Sequence, residues 1–201
     1  SPRLVVTGVR WLDGTTIELR GACADPGTRP DRLVMRRRRS STVHEVPLTW
    51  DGAEFTALLD ARWTSFDGPL PLPSGRWDFY APGPNGDVAV GIDRQARASL
   101  PEPRFVGVHE LALRVSRDLL HLWIRTALSD DERGPYAQRK LQRRYFSASN
   151  TAPLRDLAVF ESDAGQRYAC NPQAIYEELR RRDTGLELVW CTSDGQFRVP
   201  D

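Results

Sequence analysis

The hydrophobic period changes along this chain, and that change limits the folds open to it. From Val5 to about Arg125 the dominant period is two. Ile17, Leu19, Gly21 and Cys23 alternate with Glu18, Arg20 and Ala22, and Phe55, Ala57 and Leu59 alternate with Thr56 and Leu58. Val88, Val90 and Ile92 continue the pattern, as do Leu111, Leu113 and Val115, then Leu120, Leu122 and Ile124. Alternation puts every second side chain on one face, which suits a half-buried antiparallel strand. Asp13-Gly14, Asp25-Pro26-Gly27, Asp51-Gly52, Pro73-Ser74-Gly75 and Asn85-Gly86 separate the runs with turn chemistry. Ser116-Arg117-Asp118 reads as a hairpin. Short strands at this spacing point to a β-sandwich or a Greek-key barrel, and of the two an antiparallel β-sandwich, Ig-like or Greek-key, is the expectation over residues 1–128. The stretch from Arg62 to Pro73 reads as a long connection between sheets.

Beyond that point the period lengthens. Ser129 and Glu132 have capping-box spacing. Ala137, Leu141 and Tyr145 lie four apart from Pro135 to Phe146, which predicts an amphipathic helix with a basic face. Residues 129–153 therefore read as a linker helix and its tail, with a boundary in the polar stretch from Ser147 to Pro153. Leu157 to Phe160 is a continuous apolar run, as expected of a strand buried on both faces. Asn171-Pro172 signals a helix start, with Ile175 and Leu179 inward, Glu177 and Glu178 facing Arg181 and Arg182, and Gly185 at the end. Leu186 to Cys191 is a second apolar run. Strand, helix, strand in this order predicts a parallel crossover over 154–201. A lone crossover leaves its sheet uncovered, and Ser1-Pro2 carries no initiator Met. Both observations lead to the expectation that the chain is the front portion of a larger protein, with more α/β domain to follow.

Composition excludes several classes. With 28 basic and 27 acidic residues the formal charge is +1, which gives no footprint for nucleic acid. Cys23, Cys170 and Cys191 are odd in number and widely spaced, so neither a disulfide framework nor a zinc site is indicated, and a reducing compartment fits. No apolar run reaches the roughly 18 residues needed to span a bilayer.

The segment 157–190 resembles the start of the catalytic domain of the CDP-glycerol glycerophosphotransferase family. The features that carry the resemblance are Phe160-Glu161-Ser162, Gly165, Tyr168, Asn171-Pro172, Ala174-Ile175-Tyr176 and Leu188-Val189-Trp190. It implies an incomplete Rossmann-like β-α-β unit of a GT-B fold, whose remainder would be the partner of this segment. It also implies transfer of glycerol phosphate from CDP-glycerol to a lipid-linked, teichoic-acid-type acceptor, in the cytoplasm at the inner membrane face. Ribitol phosphate or a sugar phosphate would share this front end. The family's histidine motif has no match here: His44, His109 and His121 all lie in the β region, so no catalytic residue is assigned and the piece alone is expected to be inactive.

Glu161, Ser162, Gly165, Arg167, Tyr168 and Asn171 are candidates for an acceptor or phosphate-binding loop. They precede a helix N-terminus beyond a strand's carboxyl end, where open α/β sheets bind ligands. The plainer reading gives Gly165 a turn, Asn171 a cap and Tyr168 packing. Arg139, Lys140, Arg143 and Arg144 could rest on an anionic membrane, or form an ordinary solvated face. Arg36 to Arg39 would alternate sides on a strand, leaving carboxylates on neighbouring strands to pair with them. Asp130, Asp131 and Glu132 read as helix-start chemistry rather than a metal site. Trp50, Trp63 and Trp77 raise a second reading, a noncatalytic module that stacks on glycan or assembles with protein, with Trp63 the ring expected to be exposed.

Overall fold

The computed structural model describes residues 4–25, 27, 29–65, 68–129, 131–147 and 153–199. The chain divides into two compact units, Ser1–Thr126 and Ala127–Asp201.

The first unit is built from β1 (Leu4–Trp11), β2 (Thr16–Cys23), β3 (Arg32–Arg37), β4 (Val43–Asp51), β5 (Glu54–Asp60), β6 (Arg62–Ser65), β7 (Gly68–Pro71) and β8 (Gly75–Ala81). Then follow β9 (Val88–Ala89), β10 (Gly91–Ile92), the short helix α1 (Arg94–Ala98), β11 (Arg104–Val106), β12 (His109–Ser116) and β13 (Leu119–Thr126). Hydrogen-bonded neighbours run β13-β10-β1-β2-β5-β4-β3-β8, and β8 pairs back to β13. The eight strands therefore close into a barrel, which corrects the expected two-sheet sandwich. Alternation is the same in both architectures, because each strand buries one face either way. Two long-range pairings decide between them, and turn chemistry encodes neither: β1 runs parallel to β10 through Val5 and Gly91, and β8 joins β13 through Trp77 and Leu122. Strands β12 and β11 continue the sheet beyond β13.

The interior is filled from every side by the predicted alternating residues. Ile17, Leu19, Phe55, Ala57 and Leu59 are 0–1% exposed, and so are Trp77, Phe79, Leu120, Leu122 and Ile124. Gly21 marks the closest approach: a Cβ there would stand 2.4 Å from the Val5 carbonyl and 2.5 Å from the Phe55 ring. Arg117 and Asp118, at φ 51° and 62°, make the left-handed two-residue turn that joins β12 to β13. Arg62 to Pro73 is not an irregular crossing, since β6 and β7 pair as a hairpin.

Three tryptophans donate their indole N–H to loop carbonyls: Trp11 to Glu102, Trp50 to Pro30 and Trp77 to Pro73, at 2.9–3.0 Å. Trp63 packs against the core. The expectation of an exposed Trp63 is corrected, because its hairpin lies down on the barrel; Trp123 on β13 is 39% exposed instead.

The second unit holds α2 (Gly134–Tyr145), β14 (Leu157–Phe160), a 3-10 turn at Asp163–Gly165, α3 (Cys170–Arg182) and β15 (Glu187–Trp190). β14 and β15 pair parallel in register, Leu157 with Glu187 through Phe160 with Trp190. Among the described residues β14, α3 and β15 make a two-stranded sheet with one helix, not a Rossmann-like unit of a GT-B domain, and the expectation drawn from the resemblance is corrected accordingly. Nor is β14 buried on both faces: Phe160 lies under α3 at 9% exposure while Val159 is 58% exposed.

Helix limits differ from the predicted ones for local reasons. Ser129 and Glu132 do bond each other, with the hydroxyl 2.7 Å from the carboxylate, but they close a turn ahead of α2, whose N-cap is Arg133. α3 begins at Cys170, one residue before Asn171, and its N-cap Ala169 offers no side-chain bond. Tyr176 turns inward rather than Ile175, which is 54% exposed. Glu178 pairs with both Arg181 and Arg182, and Asp183 in the left-handed conformation caps the helix ahead of Gly185. Among the described residues no helix is long and apolar enough to cross a membrane.

Candidate functional site

Parallel pairing puts the segments that follow β14 and β15 at the same end of the sheet, and the structure joins them. Asp163, Ala164 and Gly165 have successive positive φ values of 48°, 53° and 73°. For Asp163 and Ala164 this left-handed backbone costs about 1–2 kcal/mol each. The turn delivers the Gly165 carbonyl to Ser193, which donates to it from its backbone N–H at 2.8 Å and its hydroxyl at 3.1 Å. A Cβ on Gly165 would sit 2.6 Å from the Ser193 nitrogen. The two loops are therefore held together at a contact that only glycine permits.

Beneath the loops lies a ring cluster. Tyr168 meets Trp190 edge-on at 4.6 Å between centroids, and Tyr176 meets Phe160 at 5.3 Å and Trp190 at 5.7 Å. These edge-to-face contacts fix the helix on the sheet and seat Tyr168 at the loop's exit. Burial pushes the Tyr168 phenol above its ordinary pKa, and neighbouring Glu177 adds to the rise. Its hydroxyl donates to Glu177 at 3.3 Å, while Gln173 donates to the same carboxylate at 2.7 Å. The Arg180 guanidinium lies 5.7 Å over the Tyr176 ring.

The six sequence candidates thus divide. Gly165 and Ser162 are buried as the loop's frame, with the Ser162 carbonyl accepting from the Gly165 N–H at 3.0 Å. Tyr168 is part of the ring cluster. Glu161, Arg167 and Asn171 are exposed, and Arg167 pairs loosely with Asp163 at 3.3 Å. Asn171 makes no cap and the N-cap Ala169 offers no side-chain bond, so among the described residues the first turn of α3 presents backbone N–H groups that no capping side chain takes up. Sequence reasoning missed Ser193; the signal available was the parallel order of the two strands, which places both following loops together.

On α2, Arg139, Lys140 and Arg143 line an open groove of about 360 Å³ with Tyr136. At 100° per residue these four and Arg144 fall on one face. Tyr136 is 83% exposed and no residue of α2 is buried. Asp130 lies outside the described residues, and among those described no cluster of His, Cys, Asp or Glu has the arrangement of a metal site.

Residues 144–199 match the family model for CDP-Glycerol:Poly(glycerophosphate) glycerophosphotransferase. The teichoic acid poly(glycerol phosphate) polymerase of Bacillus subtilis (strain 168) is 34% identical over 56 residues, which span 28% of this chain and 7% of that protein's length. Among solved structures, S. aureus TarS aligns with 65% of this chain and 25% of its own at a TM-score of 0.46 and 12% identity. S. aureus TarS 217-571 aligns with 65% of this chain and 40% of its own at 0.47 and 13% identity.

Proposed function

We propose, from the match of residues 144–199 to the family model for CDP-Glycerol:Poly(glycerophosphate) glycerophosphotransferase, that the chain is part of an enzyme that transfers glycerol phosphate to a teichoic-acid-type acceptor. The donor is a CDP-linked glycerol or related polyol, and the acceptor is lipid-linked. The family match is the observation that carries this reading, and the docked loops supply its chemistry. Exposed Arg167 and the uncapped first turn of α3 offer a guanidinium and backbone N–H groups at one sheet end, donors that suit an acceptor phosphate. Gly165, Ser162 and Ser193 hold that surface in shape, and Tyr168 and Asn171 border it.

The unit contributes binding, not proton transfer. A hydroxyl acceptor needs a general base titrating near neutrality, and the chain's three histidines all belong to the barrel. By itself the chain is inactive in this reading. The basic face of α2, with Arg139, Lys140, Arg143 and Arg144, rests on the anionic inner surface of the plasma membrane, where each charge contributes about 1 kcal/mol.

The test is transfer of labelled glycerol phosphate from CDP-glycerol to a lipid-linked acceptor by the protein that carries this chain. Arg167→Gln should raise the acceptor KM about tenfold, in line with a lost charge-assisted bond, and leave the donor KM unchanged. The 201-residue chain alone should give no product. An unaltered acceptor KM would remove the loop from the site, and absence of transfer from CDP-linked donors would remove the family's activity from the protein.

A further inference from the structure

The barrel carries a second set of chemistry-bearing side chains on its outer face. Register across β3, β8, β13 and β12 arranges them in two adjacent rows. In one row Arg36 lies opposite Asp78, Asp78 opposite His121, and His121 opposite Arg114. In the other, Arg38 bonds its backbone N–H to the Arg76 carbonyl, Arg76 lies opposite Trp123, and Trp123 opposite Ala112. The interleaved residues Trp77, Phe79, Leu120, Leu122 and Leu113 fill the barrel, so these rows point away from it.

Four guanidinium groups on this face meet two carboxylates. Arg36 pairs with Asp87. Arg38 and Arg76 share Asp78, each through Nε at 2.7 Å; the Arg38 side chain stays 59% exposed while that of Arg76 is 14% exposed. Arg114 is exposed. Trp123, opposite Ala112, is 39% exposed and gives this face an accessible aromatic surface beside the charged rows. Beside it His121 is 3% exposed, and its Nδ1 is buried without a hydrogen-bond partner among the described residues.

We infer that this face binds a phosphodiester-linked polyol or sugar chain. Outward guanidinium forks with excess charge suit phosphate oxygens, and the indole suits the C–H face of the carbon unit between two phosphates. The inference rests on the acceptor reading above only for the identity of the polymer; the geometry is the barrel's own.

Calorimetric titration of the 201-residue chain with soluble poly(glycerol phosphate) tests it without reading catalysis, so that loss of transfer activity and loss of this binding are separate results. Saturable binding that weakens with salt is expected. Trp123→Ala should weaken it ~5-fold, and Arg38→Gln with Arg114→Gln about tenfold or more, with unchanged far-UV circular dichroism. Should either variant lose its fold, Arg114→Gln alone, at an exposed position, gives the same discrimination with a smaller change. Absence of saturable binding by the unmodified chain would overturn the proposal. So would equal affinity for neutral dextran, binding confined to phosphatidylglycerol vesicles, or affinity unchanged in the variants.

Discussion

At φ 73° Gly165 lets one carbonyl accept two bonds from Ser193, and a side chain there would collide with the Ser193 backbone nitrogen. Gly165→Ala should therefore destabilise the second unit by about 2 kcal/mol or more, from left-handed strain together with the contact. The Ser193 amide should lose hydrogen-exchange protection; retained protection would show that the loops are held by something else. In the barrel, burial lowers the pKa of His121, and Arg76 adds to the lowering, while the Leu119 carbonyl and Asp78 oppose it. Arg38 from β3 lowers it further, and Arg114 from β12 faces the same ring position. His44 is lowered by burial as well, against Asp60. Both groups are thus easier to protonate in the unfolded chain. Their contribution to stability is full above the unfolded value of about 6.5 and is lost as pH falls through the folded pKa. The melting temperature should be lower at pH 5.5 than at pH 7.5, and His121→Gln should shrink that difference. Carboxylates titrate below this window, so an undiminished difference in the variant would exclude His121 as a source.

Elements were legible where one residue pattern specifies one partner. The runs at 157–160 and 187–190, with a helix between them, carried enough information for a parallel pair, because antiparallel strands need no such crossover. The basic face of α2 was equally plain from Arg139, Lys140, Arg143 and Arg144, since spacings of three and four share a helix face. Caps were less legible: Ser129 and Glu132 bond as their spacing implies, yet α2 starts further on, after Arg133. A local bond satisfies the same groups in a turn or a helix, so the motif does not fix which follows. For α2 the expected behaviour is sedimentation with vesicles containing anionic lipid and none with neutral vesicles. Arg139→Glu with Arg143→Glu reverses two charges of the groove and should abolish it. Indifference of sedimentation to those changes would leave α2 as a solvated helix.

Ring closure belongs to the whole molecule, and for that reason it was the feature least legible from the residues. Trp77 and Leu122 alternate with polar neighbours in a sandwich or a barrel alike; only their mutual pairing, 45 positions apart in sequence, closes the sheet. Closure also changes what a strand tolerates. Thr56 on β5 lies between Arg20 of β2 and Thr49 of β4, so whichever way its N–H points there is a neighbouring strand to receive it. Phe105 on β11 pairs with Glu110 on one side only and is 67% exposed. Thr56→Pro should then cost about 3 kcal/mol or more, the loss of a ladder bond together with the ring's clash. Phe105→Pro should cost about 1 kcal/mol or less, because proline is tolerated at sheet edges. Urea denaturation of the 201-residue chain, followed by tryptophan fluorescence, reads both as shifts in midpoint at a common slope. Five of the six tryptophans lie in the interior or against it, or on β13, all within the barrel unit, so the signal reports that unit. Equal shifts for the two prolines would mean that β5 has an open side, and the barrel would then be a curved sheet with two edges rather than a ring.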